Sequence, residues 1–98
     1  MTRFLGVTKN LGGADFVVPP LSLGQLKRLQ PLLRSMGEAD PEAQIDLMSQ
    51  VIFSSLSRNY PAITQDEVDD LIDVGNVADI FAVVVSVSAL EPKKTEVM

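Results

Sequence analysis

The sequence predicts a mainly α-helical (α+β) fold, in which an N-terminal β-hairpin is followed by about four short helices in a small bundle. Two β-prone runs on either side of a Gly-Gly turn predict the hairpin. Apolar residues at three- and four-residue spacings behind helix-capping signals predict the helices. A chain of 98 residues fits one domain with a sizeable core. We therefore expect a single domain over residues 1–92 and a flexible tail over residues 93–98.

The hairpin is expected over residues 3–20. Its β-prone runs cover residues 4–8 and 16–18, and Gly12 and Gly13 between them can adopt the positive φ angles of a tight turn. The pair of prolines that follows ends the second strand. Because an isolated hairpin is marginally stable in water, this one is expected to pack on the rest of the chain or on a neighbour.

The first helix is expected over about residues 22–36. Ser22 and Gln25 match a capping box, in which each side chain accepts a hydrogen bond from the backbone amide of the other residue. An apolar stripe follows, made of Leu23, Leu26, Leu29 and Leu33. Pro31 lies inside this pattern and is expected to kink or break the helix, because it removes one hydrogen bond.

The second helix is expected over about residues 41–57. Asp40 is its predicted N-cap, and Pro41 suits the first helical position. Apolar residues recur at helical spacing and predict its buried stripe: Ile45, Met48, Ile52 and Leu56. Residues 58–63 are expected to follow this helix as a loop.

The third helix is expected over about residues 65–74, where the chain carries its clearest local signal. Thr64 and Glu67 match a second capping box. Ile63 precedes that box and can pack against Val68 as a hydrophobic staple, which fixes the path of the chain as it enters the helix.

The fourth helix is expected over about residues 77–90. Gly75 ends the preceding helix, and Asn76 is the predicted cap of the new one, with Asp79 at its third position. The run Val83–Val85 is β-branched, so a strand is the alternative. A helix is preferred because a capping residue precedes it and the connection is short.

Composition excludes most kinds of catalytic and metal site. The chain has no Cys and no His, so it offers no disulfide, no thiolate metal site and no imidazole general base. It has no glycine-rich phosphate loop, and the carboxylates of residues 66–73 lack the ligand spacing of a calcium-binding EF-hand. We therefore expect no enzymatic activity, no metal and no cofactor.

The charges are distributed unevenly along the chain. Residues 1–37 carry a net charge of +4 and residues 38–92 carry −10, within a total of −5. Two solvated faces are one explanation of this pattern. The other is a pair of complementary surfaces that join subunits head to tail or engage a partner. The acidic total disfavours nucleic-acid binding.

Neither a membrane span nor a secretory signal is expected. The longest apolar stretch, residues 77–90, covers 14 positions and is interrupted by polar residues, whereas a span needs about 20. The N-terminal residues lack the long apolar core of a signal peptide. A cytoplasmic protein is expected.

Two groups of residues are candidates for binding a partner. The first group is the predicted loop formed by Arg58, Asn59, Tyr60 and Pro61. It is a candidate because exposed aromatic and arginine side chains contribute much of the binding energy of protein interfaces. The alternative is structural, with the tyrosine packed over a helix junction and the proline stiffening the turn. The second group is an acidic patch, whose alternative is a solvated helix face: Asp66, Asp69, Asp70 and Asp73.

Three sequence motifs follow one another along the chain, and their order and spacing together are fairly specific. Residues 17–26 read Val-Val-Pro-Pro-Leu-Ser-Leu-Gly-Gln-Leu, residues 56–61 read Leu-Ser-Arg-Asn-Tyr-Pro, and residues 63–76 hold the acidic helix followed by Val-Gly-Asn. In this order they resemble the small tail assembly chaperones of long-tailed (siphophage-type) bacteriophages and prophages, which similarly open with a β-hairpin. The resemblance covers about residues 3–90, and the valine-rich last helix departs from it.

The resemblance implies a non-enzymatic protein that acts in the bacterial host cytoplasm and is absent from the finished virion. Such proteins bind the tape measure protein and help tail tube protein subunits polymerise around it. Many relatives also have a frameshift-extended form, and members self-associate, so a homo-oligomer is expected. The alternatives are a small protein–protein interaction or adaptor module and a structural tail completion protein.

Overall fold

The computed structural model describes residues 4–88, which form an antiparallel hairpin followed by four α-helices. This confirms the predicted fold class. The expected tail and the end of the fourth predicted helix lie outside the described residues. The elements are β1 (Val7–Leu11), β2 (Ala14–Val18), α1 (Leu23–Ser35), a short 3₁₀ turn (Met36–Glu38), α2 (Pro41–Asn59), α3 (Gln65–Leu71) and α4 (Val77–Val87).

The hairpin closes through a two-residue turn. Gly12 and Gly13 have φ angles of 61° and 91°, in the left-handed region that glycine adopts without strain. The register of the strands places Leu11, Phe16 and Val18 on one face of the hairpin. Leu11 and Val18 are fully buried, so this face is part of the core.

α1 begins as predicted but does not break at Pro31. Both hydrogen bonds of the capping box between Ser22 and Gln25 are present. The helix continues through Pro31 to Ser35, so the expected break is wrong. Pro31 and Lys27 are both exposed, so the helical hydrogen bond that Pro31 cannot donate is lost at a position that faces solvent.

α2 is the central element and contacts β2 and the three other helices. Asp40 caps it and Pro41 is its first residue, as predicted. It ends at Asn59, so the prediction that Arg58 and Asn59 belong to a loop is wrong. The last turn is closed by the backbone amide of Tyr60, which donates to the carbonyl of Leu56 at 2.9 Å.

α3 is shorter than predicted, because the chain turns directly after it. Its capping box between Thr64 and Glu67 is present. The helix ends at Leu71, and beyond it the backbone amides of Asp73 and Asn76 each donate to the side-chain oxygen of the other residue at 2.9 Å. Asn76 stands at the N-cap position of α4, as predicted, but its side chain is used in this turn and forms no capping hydrogen bond with α4.

α4 remains helical across Val83–Val85, which confirms the helix over the strand alternative. It packs on α2 through three buried residues: Val77, Ile80 and Val84.

The core is aliphatic and receives side chains from both the hairpin and the helices. Leu29 is the buried residue of α1, whereas α2 contributes five buried residues. The buried apolar residues are Leu11, Val18, Leu21, Leu29, Val51, Ile52, Leu56, Val68, Val77, Ile80 and Val84.

Candidate functional site: a clamp and an acidic groove

Arg58, Asn59 and Tyr60, at the end of α2, bind the N-terminal part of the chain, and we call these three residues the clamp. The Nη1 atom of Arg58 donates to the carbonyl of Pro20 at 2.6 Å. The Arg58 guanidinium also lies 3.7 Å from the centroid of the Phe4 ring, a cation–π geometry. One side chain therefore holds both the segment before β1 and the segment after β2.

Asn59 completes the attachment of the segment before β1. Its Oδ1 accepts from the backbone amide of Phe4 at 2.6 Å, and its Nδ2 donates to the carbonyl of Phe4 at 2.9 Å. The Asn59 side chain is 1% exposed. Because a buried amide without partners destabilises a fold, this two-way pairing accounts for how Asn59 can be buried.

Tyr60 holds β2. Its hydroxyl accepts from the backbone amide of Val17 at 2.9 Å. In a two-residue hairpin with this register, the amide of Val17 points away from β1, and the hydroxyl supplies its partner. The ring of Tyr60 also meets Phe16 edge to face, with 5.1 Å between centroids. These contacts agree with the structural alternative for Tyr60, in which its ring packs at a junction of elements.

The segment between β2 and α1 is bound to α2 by two further hydrogen bonds. The hydroxyl of Ser55, which is fully buried, donates to the carbonyl of Pro19 at 2.6 Å. The Nε2 atom of Gln25 donates to the carbonyl of Ser54 at 2.7 Å. The sequence stretches 17–26 and 56–61 thus lie against each other in the fold.

The four acidic candidates do not form one uniform face. Asp66 and Asp70 are exposed on α3. Asp69 accepts a hydrogen bond from the hydroxyl of Ser49 on α2, and Asp73 belongs to the turn after α3. All four residues are exposed, and Asp69 and Asp73 also form side-chain hydrogen bonds within residues 4–88.

A groove of about 520 Å³ lies where the hairpin turn, the end of α2 and α3 meet, and we call it the acidic groove. We call the apolar part of its lining the floor and the two carboxylates in the lining, which lie one helical turn apart on α3, the rim. The groove brings together two of the sequence candidates, Tyr60 and Asp70. The lining residues are Gly12, Phe16, Tyr60, Ala62, Ile63, Glu67, Asp70 and Leu71.

The electrostatic character of the acidic groove follows from this lining. None of the described residues that line it is basic. One oxygen of Glu67 is occupied by the capping box with Thr64, while the carboxylate of Asp70 receives no hydrogen bond from residues 4–88. An apolar floor beside such a rim favours an apolar side chain accompanied by a positive charge.

The described part of the chain shows neither a metal centre nor a membrane helix. Within residues 4–88, no group of three or more acidic side chains is arranged to hold a metal ion. Over the same range, no helix is long and apolar enough to cross a membrane. The acidic groove presents apolar and negatively charged side chains on its surface.

Comparison with known proteins identified no relative of this chain. No family model, no curated protein and no solved structure matches this chain. A functional assignment therefore depends on the motif resemblance in the sequence and on the contacts described above.

Sequence reasoning missed several residues of the acidic groove. The sequence predicts Ile63 as part of a hydrophobic staple and does not single out Leu71, yet both residues line the groove. Glu67, Asp70 and Leu71 lie three and four residues apart, so helical spacing alone could have placed them on one face of α3. No local signal connects Phe16 to them, because only the tertiary fold brings the hairpin beside α3.

Proposed function

We propose that this protein is a tail assembly chaperone of a long-tailed bacteriophage or prophage. It binds the tape measure protein and assists the tail tube protein to polymerise around it, without catalysing a reaction. It acts in the cytoplasm of the bacterial host and does not enter the virion. A frameshift-extended form of the same chain is a further partner in this proposal.

The observation that carries the proposal is the contact between the motifs of the resemblance. Pro20 and Arg58 belong to separate motifs and lie 38 residues apart in sequence, yet they are joined by a 2.6 Å hydrogen bond. Gln25 of the first motif binds the carbonyl of Ser54, which directly precedes the Leu-Ser-Arg-Asn-Tyr-Pro stretch. Motifs that form one structural unit support a resemblance of fold better than motifs that are scattered over the surface.

Accessible apolar surface is the second support. Leu5, Val74 and Leu23 are 90%, 76% and 68% exposed. The floor of the acidic groove adds further apolar area. Burial of such area on binding contributes about 25 cal/mol per Å², which suits a protein that holds an aggregation-prone helical chain.

The test is co-expression with the tape measure protein encoded at the same locus. With a tag on the tape measure protein, we expect its soluble fraction to rise and this chain to co-purify with it at low salt. Arg58→Ala removes the contact between the motifs and is expected to reduce the amount that co-purifies. Asp46→Ala removes an exposed charge of α2 outside the clamp and the acidic groove, so it is the matched control and is expected to leave that amount unchanged.

Two results would contradict the proposal. One is the absence of any complex with the tape measure protein at low salt. The other is stoichiometric detection of this chain in purified phage particles by mass spectrometry, which would instead indicate a structural tail completion protein.

A further inference from the structure

The outward face of α1 is cationic and apolar. Lys27, Arg28 and Arg34 are exposed, and the helix contains no acidic residue. Leu23 and Leu32 are 68% and 38% exposed at the edges of the same face. No carboxylate within residues 4–88 forms an ion pair with these basic side chains. The face therefore lacks a partner of opposite charge in its own chain.

α3 and the acidic groove have the opposite character. The seven residues of α3 include four acidic residues and no basic residue, so α3 carries −4 where α1 carries +3. The rim of the groove, Glu67 and Asp70, likewise has no ion pair within the described part of the chain. The positive charge of α1 is therefore complementary to the negative charge of α3 and the groove.

Both surfaces place apolar groups beside charged groups. Leu23 and Lys27 lie four residues apart on α1, which places their side chains about 5–6 Å apart on one side of the helix. In the acidic groove, an apolar floor lies beside the carboxylates of Glu67 and Asp70, which are themselves one turn apart. A leucine on the floor thus brings a lysine to the rim.

We propose that the acidic groove binds α1 of a second copy of this chain, with Leu23 of that copy on the apolar floor and Lys27 against the rim carboxylates. The two surfaces are different parts of the molecule, so the contact is heterologous, and a pair of bound copies retains one free α1 and one free groove between them. Assembly therefore proceeds head to tail. This inference goes beyond the proposed function and requires no tape measure protein.

The test is sedimentation velocity of the full chain. Self-association is expected to weaken by at least about tenfold between about 50 mM and about 500 mM salt, because salt screens exposed charges. Leu23→Asp removes the α1 contact and Asp70→Lys removes the groove contact, and each is expected to weaken self-association by at least about tenfold. Asp46→Lys makes the same charge change at an exposed position of α2 outside the groove and is the matched control.

Mixing the two variants separates this proposal from misfolding. An equimolar mixture of Leu23→Asp and Asp70→Lys is expected to form a one-to-one complex, because one copy supplies an intact groove and the other an intact α1. A misfolded variant could not restore assembly in this way, and circular dichroism checks each variant alone.

Two outcomes would overturn the proposal. The first is a wild-type chain that stays monomeric at low salt and at the highest concentration reached; if a segment of the tape measure protein occupies its groove, the proposed function is left standing. The second is assembly that both substitutions leave unchanged. Head-to-tail assembly without any binding of the tape measure protein would overturn the proposed function alone.

Discussion

The end of α2 and the whole of α1 are held to the rest of the molecule in different ways. At the end of α2, Leu56 is fully buried, and three successive side chains form hydrogen bonds with backbone atoms of the hairpin region. α1 spans thirteen residues, yet Leu29 is its buried residue. Leu33 packs against the core while partly buried, and Gln25 donates a hydrogen bond to the carbonyl of Ser54 on α2.

This difference shows how one small chain separates stability from binding. The polar groups of the clamp form hydrogen bonds within the fold, so Asn59 and Tyr60 determine where the hairpin lies. α1 leaves its charges without partners in the described chain, and elements with few buried contacts open more readily. A candidate for binding another molecule is thus better sought on α1 and α3 than on the clamp.

The largest expected effect is a loss of stability on truncation of a core leucine, which we compare between the end of α2 and α1. Leu56→Ala is expected to lower the free energy of unfolding by about 2–5 kcal/mol, because it leaves a cavity where packing is complete. Leu29→Ala, at a position that is 8% exposed, is expected to cost less because the site can relax toward solvent. Urea unfolding measures both free energies, and equal losses would mean that the two regions do not differ in packing.

The next effect concerns the segment that the clamp holds. A Cβ atom added at Gly6 would overlap the backbone carbonyl oxygen of Val18, so Gly6→Ala forces the segment to move. We expect a loss of about 1–3 kcal/mol in unfolding free energy. Gly37→Ala is the matched control, because nothing lies within 4 Å of its added Cβ, and a loss of similar size there would contradict the steric explanation.

The smallest effect tests the hydroxyl of Tyr60. Tyr60→Phe keeps the ring against Phe16 but removes the acceptor for the amide of Val17. We expect a cost of about 0.5–1.5 kcal/mol and faster hydrogen exchange at the amide of Val17, measured by NMR. Unchanged exchange at that amide would mean that the hydroxyl contributes little to holding β2.

Local chemistry made much of the fold predictable. The capping boxes at Ser22 and Thr64, and Asp40 followed by proline, marked three helix starts correctly, because each signal is complete within four residues. The Gly-Gly turn located the hairpin for the same reason. Helix ends were less predictable, since the end of α2 depends on side chains that bind a distant segment.

The candidate site was predictable only in part. Arg58, Asn59 and Tyr60 were recognised as unusual, but their contacts reach residues 38 to 55 positions away, which no local pattern reveals. Their role in binding a partner stays a prediction. Asp70 was selected with its acidic neighbours, and only the position of the hairpin beside α3 distinguishes it from Asp69.

The long reach of the clamp has a consequence during synthesis on the ribosome. The hairpin is made first, but the side chain that fixes Phe4 is 55 residues further along the chain. At a translation rate of about 5–20 residues per second, this interval lasts roughly 3–11 s. Over that time the hairpin lacks the anchors that make it stable, and its open strand edges can pair with those of other nascent chains. A ribosomal pause between the codons for Val18 and Asn59 prolongs this vulnerable interval.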